Sequence, residues 1–331
     1  MTQPDKLEFH QVNAFTKNGM NVLGNPATIC LINDFLDDIT MGKCAKELAS
    51  PMTSFVRPTN DPYIFEIRHF SPDGLENHVC GHATVAAAEL LAMKYPDFRK
   101  GREITFKLNP KYAINSENSF IATIKGNDIS LKMPAVTEMK EVKSPKFYSL
   151  LAEALQIKPS DIVKPAYYAP RIINYVVELK NQDVLINMRP DFNKLANLAQ
   201  SKKFSHEGIM ATVKSEAAQY DTMTRVFLPI IGVDEDIACG SANCSVIPYW
   251  KLKNKTAFPS LKDEFNNLFP YPPEQHNGFV GGVQHLKFDA ANEQIILTGQ
   301  ASYKHPIEVD LTKWSQLADK KKGPQNPSAR P

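Results

Sequence analysis

Arg68-His69-Phe70-Ser71-Pro72 leads into Cys80-Gly81-His82-Ala83, and far along the chain Arg225-Val226-Phe227-Leu228-Pro229 leads into Cys239-Gly240-Ser241-Ala242. Both copies read Arg-x-Phe-x-Pro, then an acidic loop containing glycine, then Cys-Gly-x-Ala; the second loop is two residues longer. So long a spacing is not the short period of a stacked solenoid. It predicts two similar halves of one fold, each presenting a cysteine at an equivalent place. If the halves face each other, two thiols converge on one cleft. That arrangement suits moving a proton from one face of a carbon to the other.

The surroundings of the two copies repeat the same theme. After Cys80, residues 83–94 are rich in Ala and Leu with no breaker until Pro96, which predicts a helix. Strands are expected at 7–15, 54–56, 63–70, 103–108, 119–124 and 129–133, with a helix capped near Asp38 and running to Leu48. The first half thus holds several strands around one Ala-rich helix. The charged stretch Lys140 to Lys146 reads as a linker. Beyond it come a helix at 147–155, a strand at 172–179, a short helix at 192–198 and strands at 208–213 and 223–228. A helix-like stretch follows the second cysteine, where Pro248 should kink or delay it, and strands at 285–288 and 294–297 close the sheet. The expected division is 1–139, 140–315 with its last strand free to return to the first half, and a disordered Pro-rich tail, 316–331.

Composition narrows the class. A chain of 331 residues with 43% apolar and 22% charged residues is ordinary for a globular protein of about two domains. The net charge of +2 gives no footprint for nucleic acid, and the one marked basic cluster, Lys320-Lys321-Lys322, lies in the tail. No apolar run approaches the ~20 residues that span a bilayer, and the first residues carry no secretory pattern. The cysteines, at 30, 44, 80, 239 and 244, lack disulfide-framework spacing, so a reducing cytoplasm is expected.

A thiol is a useful acid–base group only if its pKa approaches the working pH, and a helix N-terminus lowers it. Cys80 and Cys239 each precede a predicted helix. Gly81 and Gly240 let the backbone approach a ligand, and the free amides of a helix start hold a carboxylate. Cys30, Cys44 and Cys244 read as small buried hydrophobes. His82 is placed either to shuttle a proton or to sit as a hydrogen-bonded structural group. Asp236 is placed either to orient an acid–base group or to cap a turn. The grouping of His78, Cys80 and His82 with Cys239 and Cys244 lacks the ligand pairs of a zinc site.

These residues resemble the phenazine-biosynthesis PhzF family, which shares its fold with diaminopimelate epimerase and proline racemase. The similarity runs through Phe9-x-x-Val12-x-Ala14-Phe15, Gly24-Asn25-Pro26-Ala27, Thr53-Ser54-Phe55-Val56, Phe70-x-Pro72 and Cys80-Gly81-His82-Ala83-Thr84. It continues through Arg189-Pro190-Asp191-Phe192 and Glu235-Asp236-x-Ala238-Cys239-Gly240-Ser241-Ala242. The resemblance implies an α+β fold of two similar domains, each a curved, mostly antiparallel sheet around a central helix, with the active site between them. It makes His82, Asp236 and Ser241 substrate-contacting residues, joined by Asn25, Gly81 and Gly240. No cofactor and no metal are expected.

Two departures from the family matter. PhzF-type isomerases move protons with a glutamate in a Ser-Glu-Thr-x-Phe motif, and here Pro51-Met52-Thr53-Ser54-Phe55 puts a thioether at that position. The later Gly-Arg-Pro-Ser-like segment reads Gly281-Gly282-Val283-Gln284. Conversely, both cysteines of the two-base racemases are present, and Asp73-Gly74-x-Glu76 before Cys80 is similar to the corresponding loop of diaminopimelate epimerase. The leading expectation is a racemase or epimerase of a small amino or hydroxy acid, with Cys80 and Cys239 as paired acid and base. The alternatives are a PhzF-like double-bond or proton-shift isomerase using His82 and Asp236, and a non-catalytic binder of small acids. A small carboxylic acid is the expected partner, without nucleic acid or membrane, and a homodimer is the assembly kept in view.

Overall fold

The structure is a computed structural model that describes residues 5–17, 21–77, 80–110, 118–253, 263–270 and 281–312. His78 and the tail 316–331 lie outside the described residues. The first half contains β1 (Lys6–Thr16), β2 (Asn25–Leu31), α1 (Asp38–Leu48), β3 (Thr53–Pro58), β4 (Ile64–Phe70), β5 (Glu76–Asn77), α2 (Gly81–Lys94), β6 (Lys100–Lys107), β7 (Ser119–Lys125) and β8 (Asp128–Pro134). The second half contains β9 (Lys140–Glu141), α3 (Pro145–Leu155), β10 (Tyr167–Ala169), β11 (Asn174–Glu178), α4 (Gln182–Asn187), α5 (Phe192–Ala199), β12 (Gly208–Lys214) and β13 (Thr222–Leu228). It ends with β14 (Val233–Asp236), α6 (Asn243–Pro248), β15 (Glu264–Phe269), β16 (Gly282–Asp289) and the long β17 (Gln294–Asp310).

The pairing pattern is the same in both halves. β1–β2 and β10–β11 are antiparallel; β2–β3 and β11–β12 are parallel; β3–β4 and β12–β13 are antiparallel. Then β4–β6 and β13–β15 are parallel, while β6–β7 and β15–β16 are antiparallel. The short β5 and β14 fold back antiparallel on β4 and β13. The repeated motif therefore marks a repeated topology.

β17 joins the halves. Its first residues lie between β16 and β8, with Leu297 opposite both Leu286 and Leu131. Its later residues pair with β1. The strands of the first half thereby close in the order β1-β2-β3-β4-β6-β7-β8-β17 and back to β1. The enclosed helix is α2, which packs on β1, β2, β3, β7, β8 and β17. Enclosure explains its composition: Gly81 through Ala92 are all buried, so it is apolar all round with small side chains where strands press close. Its one buried acid, Glu89, pairs with Arg99 at 2.7 Å.

The second half's counterpart is α6, entirely buried, which runs through Pro248 into π-helical turns at Tyr249–Lys253. The proline, which lacks an N–H, does not stop the helix; the winding widens just beyond it. Among the described residues no helix is long and apolar enough to cross a membrane.

Several stretches differ from expectation, among them β2, β5, β10 and α4, which were not foreseen, and β17, which runs well past 297. Lys140–Glu141, read as linker, pairs with β10. β14 was not foreseen because Val233-Asp234-Glu235-Asp236 has few strand-forming residues. β15 was missed because it carries Asn266-Asn267; Asn267 is fully buried and satisfied by Thr222, Thr224 and Asn243.

Candidate active site

The two motif arginines build the site's frame. Arg68 Nε donates to Glu76 at 2.7 Å and its Nη2 reaches the other carboxylate oxygen. Arg225 repeats this fork on Glu235, at 2.7 and 2.8 Å, and its remaining nitrogen donates to the carbonyls of Leu185 and Met188. A planar guanidinium holding both carboxylate oxygens fixes direction as well as distance. Each fork pins an acidic loop against its strand, immediately before a cysteine.

The registers then place equivalent residues. Asn77 lies opposite His69, and Asp236 lies opposite Val226. Asn77 and Asp236 each stand three positions before their cysteine. The carboxylate that faces the site in the second half therefore takes the place of an amide in the first. Asn25 Nδ2 donates to Asp236 Oδ1 at 2.6 Å, and the Ala238 amide donates to the same oxygen at 3.2 Å.

Cys80 is the N-cap of α2. Cys239 is not at the helix boundary as expected: residues 240–242 form a tight turn before α6, with the Asn243 amide donating to the Gly240 carbonyl. The two Cys-Gly turns nevertheless meet. A Cβ added to Gly81 would lie 3.3 Å from the Gly240 Cα, and one added to Gly240 would lie 3.3 Å from the Gly81 Cα. Both cysteines belong to one apolar cluster drawn from both halves, together with Met52 and Phe15. Phe15 holds a left-handed backbone at φ 62, and its ring packs on Gly240. Such a conformation in a bulky residue costs energy and clusters at functional sites.

Each thiol has a polar neighbour two residues on. Cys80 Sγ is 3.3 Å from His82 Nδ1, and Cys239 Sγ is 3.4 Å from Ser241 Oγ. The electrostatics reverse one expectation. Burial pushes both thiols up from their ordinary range, and the Asp236 carboxylate pushes them further. The amides of Ala83 and His82 pull Cys80 down, as a helix start should, and Ser241 does so for Cys239. Desolvation outweighs them. Burial likewise holds His82 below the usual histidine range, with Asp236 opposing.

Cys80, Cys239, His82, Asp236, Asn25, Gly81, Gly240 and Ser241 thus share one neighbourhood at the seam between the halves. One part of that neighbourhood was quoted in the sequence only as a departure from the family. The Gly281-Gly282 pair presses on the backbone before Cys239: a Cβ on Gly281 would meet the Ile237 carbonyl at 2.1 Å, and the Gly281 carbonyl accepts from Gly24, next to Asn25. Paired glycines flanking an apolar strand were the available signal. His69, inside the quoted motif, was read only as a strand residue.

A family model described as phenazine biosynthesis-like protein matches residues 12–303. The chain belongs to the PhzC-PhzF family. An isomerase of Halalkalibacterium halodurans, itself uncharacterized, is 30% identical over 91% of this chain and 96% of its own length. The crystal structure of a PhzF-family protein from Enterococcus faecalis superposes with a TM-score of 0.71 at 22% identity, covering 92% of this chain and 100% of that one. A hydroxyproline epimerase from Agrobacterium vitis, solved with bound trans-4-hydroxy-L-proline, covers 93% of this chain and 92% of its own at 10% identity and a TM-score of 0.54. The fold is thus that of PhzF and the proline racemases, and the family is one of isomerases.

Proposed function

We propose that this PhzF-like protein is a cofactor-independent racemase or epimerase of a small amino acid, with Cys80 and Cys239 as the two acid–base groups. The observation that carries the reading is the Gly81–Gly240 contact, which brings the two Cys-Gly turns together at the seam, where the Asp236 carboxylate acts on both thiols. One sulfur, as thiolate, takes the Cα proton; the other, as thiol, gives a proton to the opposite face. The proton lost in forming the first thiolate goes to His82 for Cys80, or for Cys239 to Asp236, the carboxylate that acts on it.

The raised thiols favour an amino acid over a hydroxy acid. An α-ammonium group set against Asp236 and Asn25 offsets the carboxylate's share of that rise, which adds to the larger share from burial. Binding of such a substrate therefore lowers both thiols, which a hydroxy acid without that charge does not do. The amides at Gly81 and Gly240, with the Ser241 hydroxyl, take the carboxylate and the enolate-like charge that develops on it.

The test is a panel of L-amino and hydroxy acids incubated with reduced enzyme in D2O. Loss of the Cα proton signal, with loss of optical activity, is expected for one or a few amino acids. No exchange from any acid would overturn the reading. A second reading, a PhzF-like proton shift by His82 and Asp236, is favoured by the influence of Asp236 on His82; it predicts exchange that survives loss of either thiol.

A further inference from the structure

His69 is 1% exposed, and the proposed mechanism does not use it. It lies directly across from Ser54 in the β3–β4 pair, and its Nδ1 is 2.8 Å from the Ser54 hydroxyl. Its other nitrogen, Nε2, is buried and has no hydrogen-bond partner among the described residues. Buried imidazole nitrogens are normally satisfied, so an orphan of this kind calls for an explanation.

The face on which His69 sits supplies one. Val56 and Ile67, the next pair along, belong to the cluster that surrounds α2, whereas Phe55 and Phe70 pack on the opposite face under α1. Side chains alternate along a strand, so Ser54 and His69 face inward. Met52 is two residues before Ser54 on the same face and belongs to the same cluster as both site cysteines. His69 is therefore the diagonal cross-strand neighbour of the position that the resemblance gives to the PhzF glutamate. The His82 imidazole is close enough to act on it electrostatically.

Hydrogen-bond accounting settles the tautomer. A neutral imidazole carries one N–H and one bare nitrogen. Among the described residues, His69 Nδ1 is the acceptor within reach of the Ser54 hydroxyl. If Ser54 donates to Nδ1, only the Nε2–H is left unpaired. If Nδ1 carries the proton instead, the Ser54 hydrogen and the bare Nε2 are both left without partners. The first arrangement leaves fewer buried groups unsatisfied, so Nε2 is a donor.

We propose that His69, braced by Ser54, is a further substrate-binding residue whose Nε2–H donates to an acceptor oxygen of the bound small acid, beside the position vacated by the family glutamate. The proposal rests on reading the site as one for a small carboxylic acid. A buried donor without a partner selects for a ligand that supplies the acceptor and against one that lacks it.

Iodoacetate and iodoacetamide test this without knowledge of the substrate, because they differ in offering a carboxylate or a neutral amide. With either reagent the Cys80 sulfur–carbon bond forms as iodide leaves, and the thiol proton passes to His82 or water. Rates at Cys80 are followed by peptide mass spectrometry. His69→Phe is expected to lower the iodoacetate-to-iodoacetamide rate ratio about tenfold, the effect of one lost charge-assisted hydrogen bond. His69→Gln, which keeps a donor, should restore part of the ratio, and Ser54→Ala should lower it less than His69→Phe. An unchanged ratio in His69→Phe overturns the proposal; if burial keeps Cys80 inert to both reagents, the imidazole nitrogen spectra decide it.

Nitrogen-15 spectra of the wild-type imidazoles provide a check that needs no variant to fold: His69 should be neutral with the proton on Nε2, and a bare Nε2 overturns the proposal. The two readings fail separately. Absent Cα exchange with a ratio that collapses in His69→Phe removes the racemase and keeps the His69 donor. Intact exchange in His69→Phe with an unchanged ratio does the reverse.

Discussion

Gly81 and Gly240 stand back to back at the seam of the two halves, so close that a Cβ on either would lie 3.3 Å from the other's Cα. No side chain separates the two turns, and both cysteines are held by backbone in contact with backbone. Gly81→Ala or Gly240→Ala must push the turns apart by a few tenths of an ångström. Overpacking of this kind costs about 1–3 kcal/mol, whereas small misplacement of reacting groups is amplified in rate. Each variant should therefore melt only slightly earlier than wild type yet exchange the Cα proton at least about tenfold more slowly. Wild-type exchange in a folded Gly240→Ala would show that the spacing of the thiols does not matter.

The buried histidines predict the response to acid. Burial lowers His69 to about 3 and holds His82 and His206 below their ordinary range. In the unfolded chain a histidine titrates near ~6.5. Between that pH and the lower folded values the unfolded state binds protons that the native state does not, so stability falls as pH falls. Each such histidine contributes a slope approaching about 1.4 kcal/mol per pH unit in that window. Urea midpoints measured from about pH 7 down to 5 should drop steadily, and His69→Phe should flatten the drop. A midpoint independent of pH across that window would contradict the burial of these imidazoles.

The sequence carried the repeat, and the repeat carried most of the fold. Arg68 and Arg225, Glu76 and Glu235, Cys80 and Cys239 are visible as a pattern because each copy needs the same fork to pin the same loop. The Ala-rich helix was legible because a helix enclosed by strands has to be small and apolar. What stayed hidden depends on partners distant in the chain. Asn267 reads as a turn residue until Thr222, Thr224 and Asn243 are seen to satisfy it. The charge state of the thiols was misread for a similar reason. A helix start is a local signal that lowers a thiol's pKa, whereas the desolvation that raises it comes from residues of both halves closing over Cys80 and Cys239. His69 was overlooked because alternation in a strand marks a face without saying which hydrogen bonds the face leaves unmade.

Met52 tests whether the chemistry has changed. It is 4% exposed and clusters with both site cysteines. Met52→Glu puts a carboxyl into an apolar setting. If it ionises it raises the thiols further, and if it stays protonated it leaves a polar group short of partners. Lower stability and slower exchange of the native substrate are expected, read by thermal melting and by proton exchange in D2O. A large gain in turnover would instead mean that the site still supports glutamate chemistry of the PhzF kind.

The two cysteines separate two-base from one-base chemistry. In a two-thiol site each cysteine is the base for one stereoisomer and the acid for the other, so interconversion in either direction needs both. Cys80→Ser leaves on one face a hydroxyl far less acidic than a thiol, and racemisation should fall by about a hundredfold or more both ways. Exchange with D2O should survive for the isomer whose Cα proton faces the intact Cys239, because removal and return on that face need one sulfur only. Cys239→Ser should show the opposite preference, tempered by Asp236, which remains beside the vacated position. Proton NMR of each pure enantiomer in D2O reads the preference directly, and chiral chromatography reads interconversion. If both serine variants exchange both enantiomers at near wild-type rates while Asp236→Ala and His82→Ala exchange neither, the thiols are bystanders. The site would then be the one-base isomerase built on Asp236 and His82.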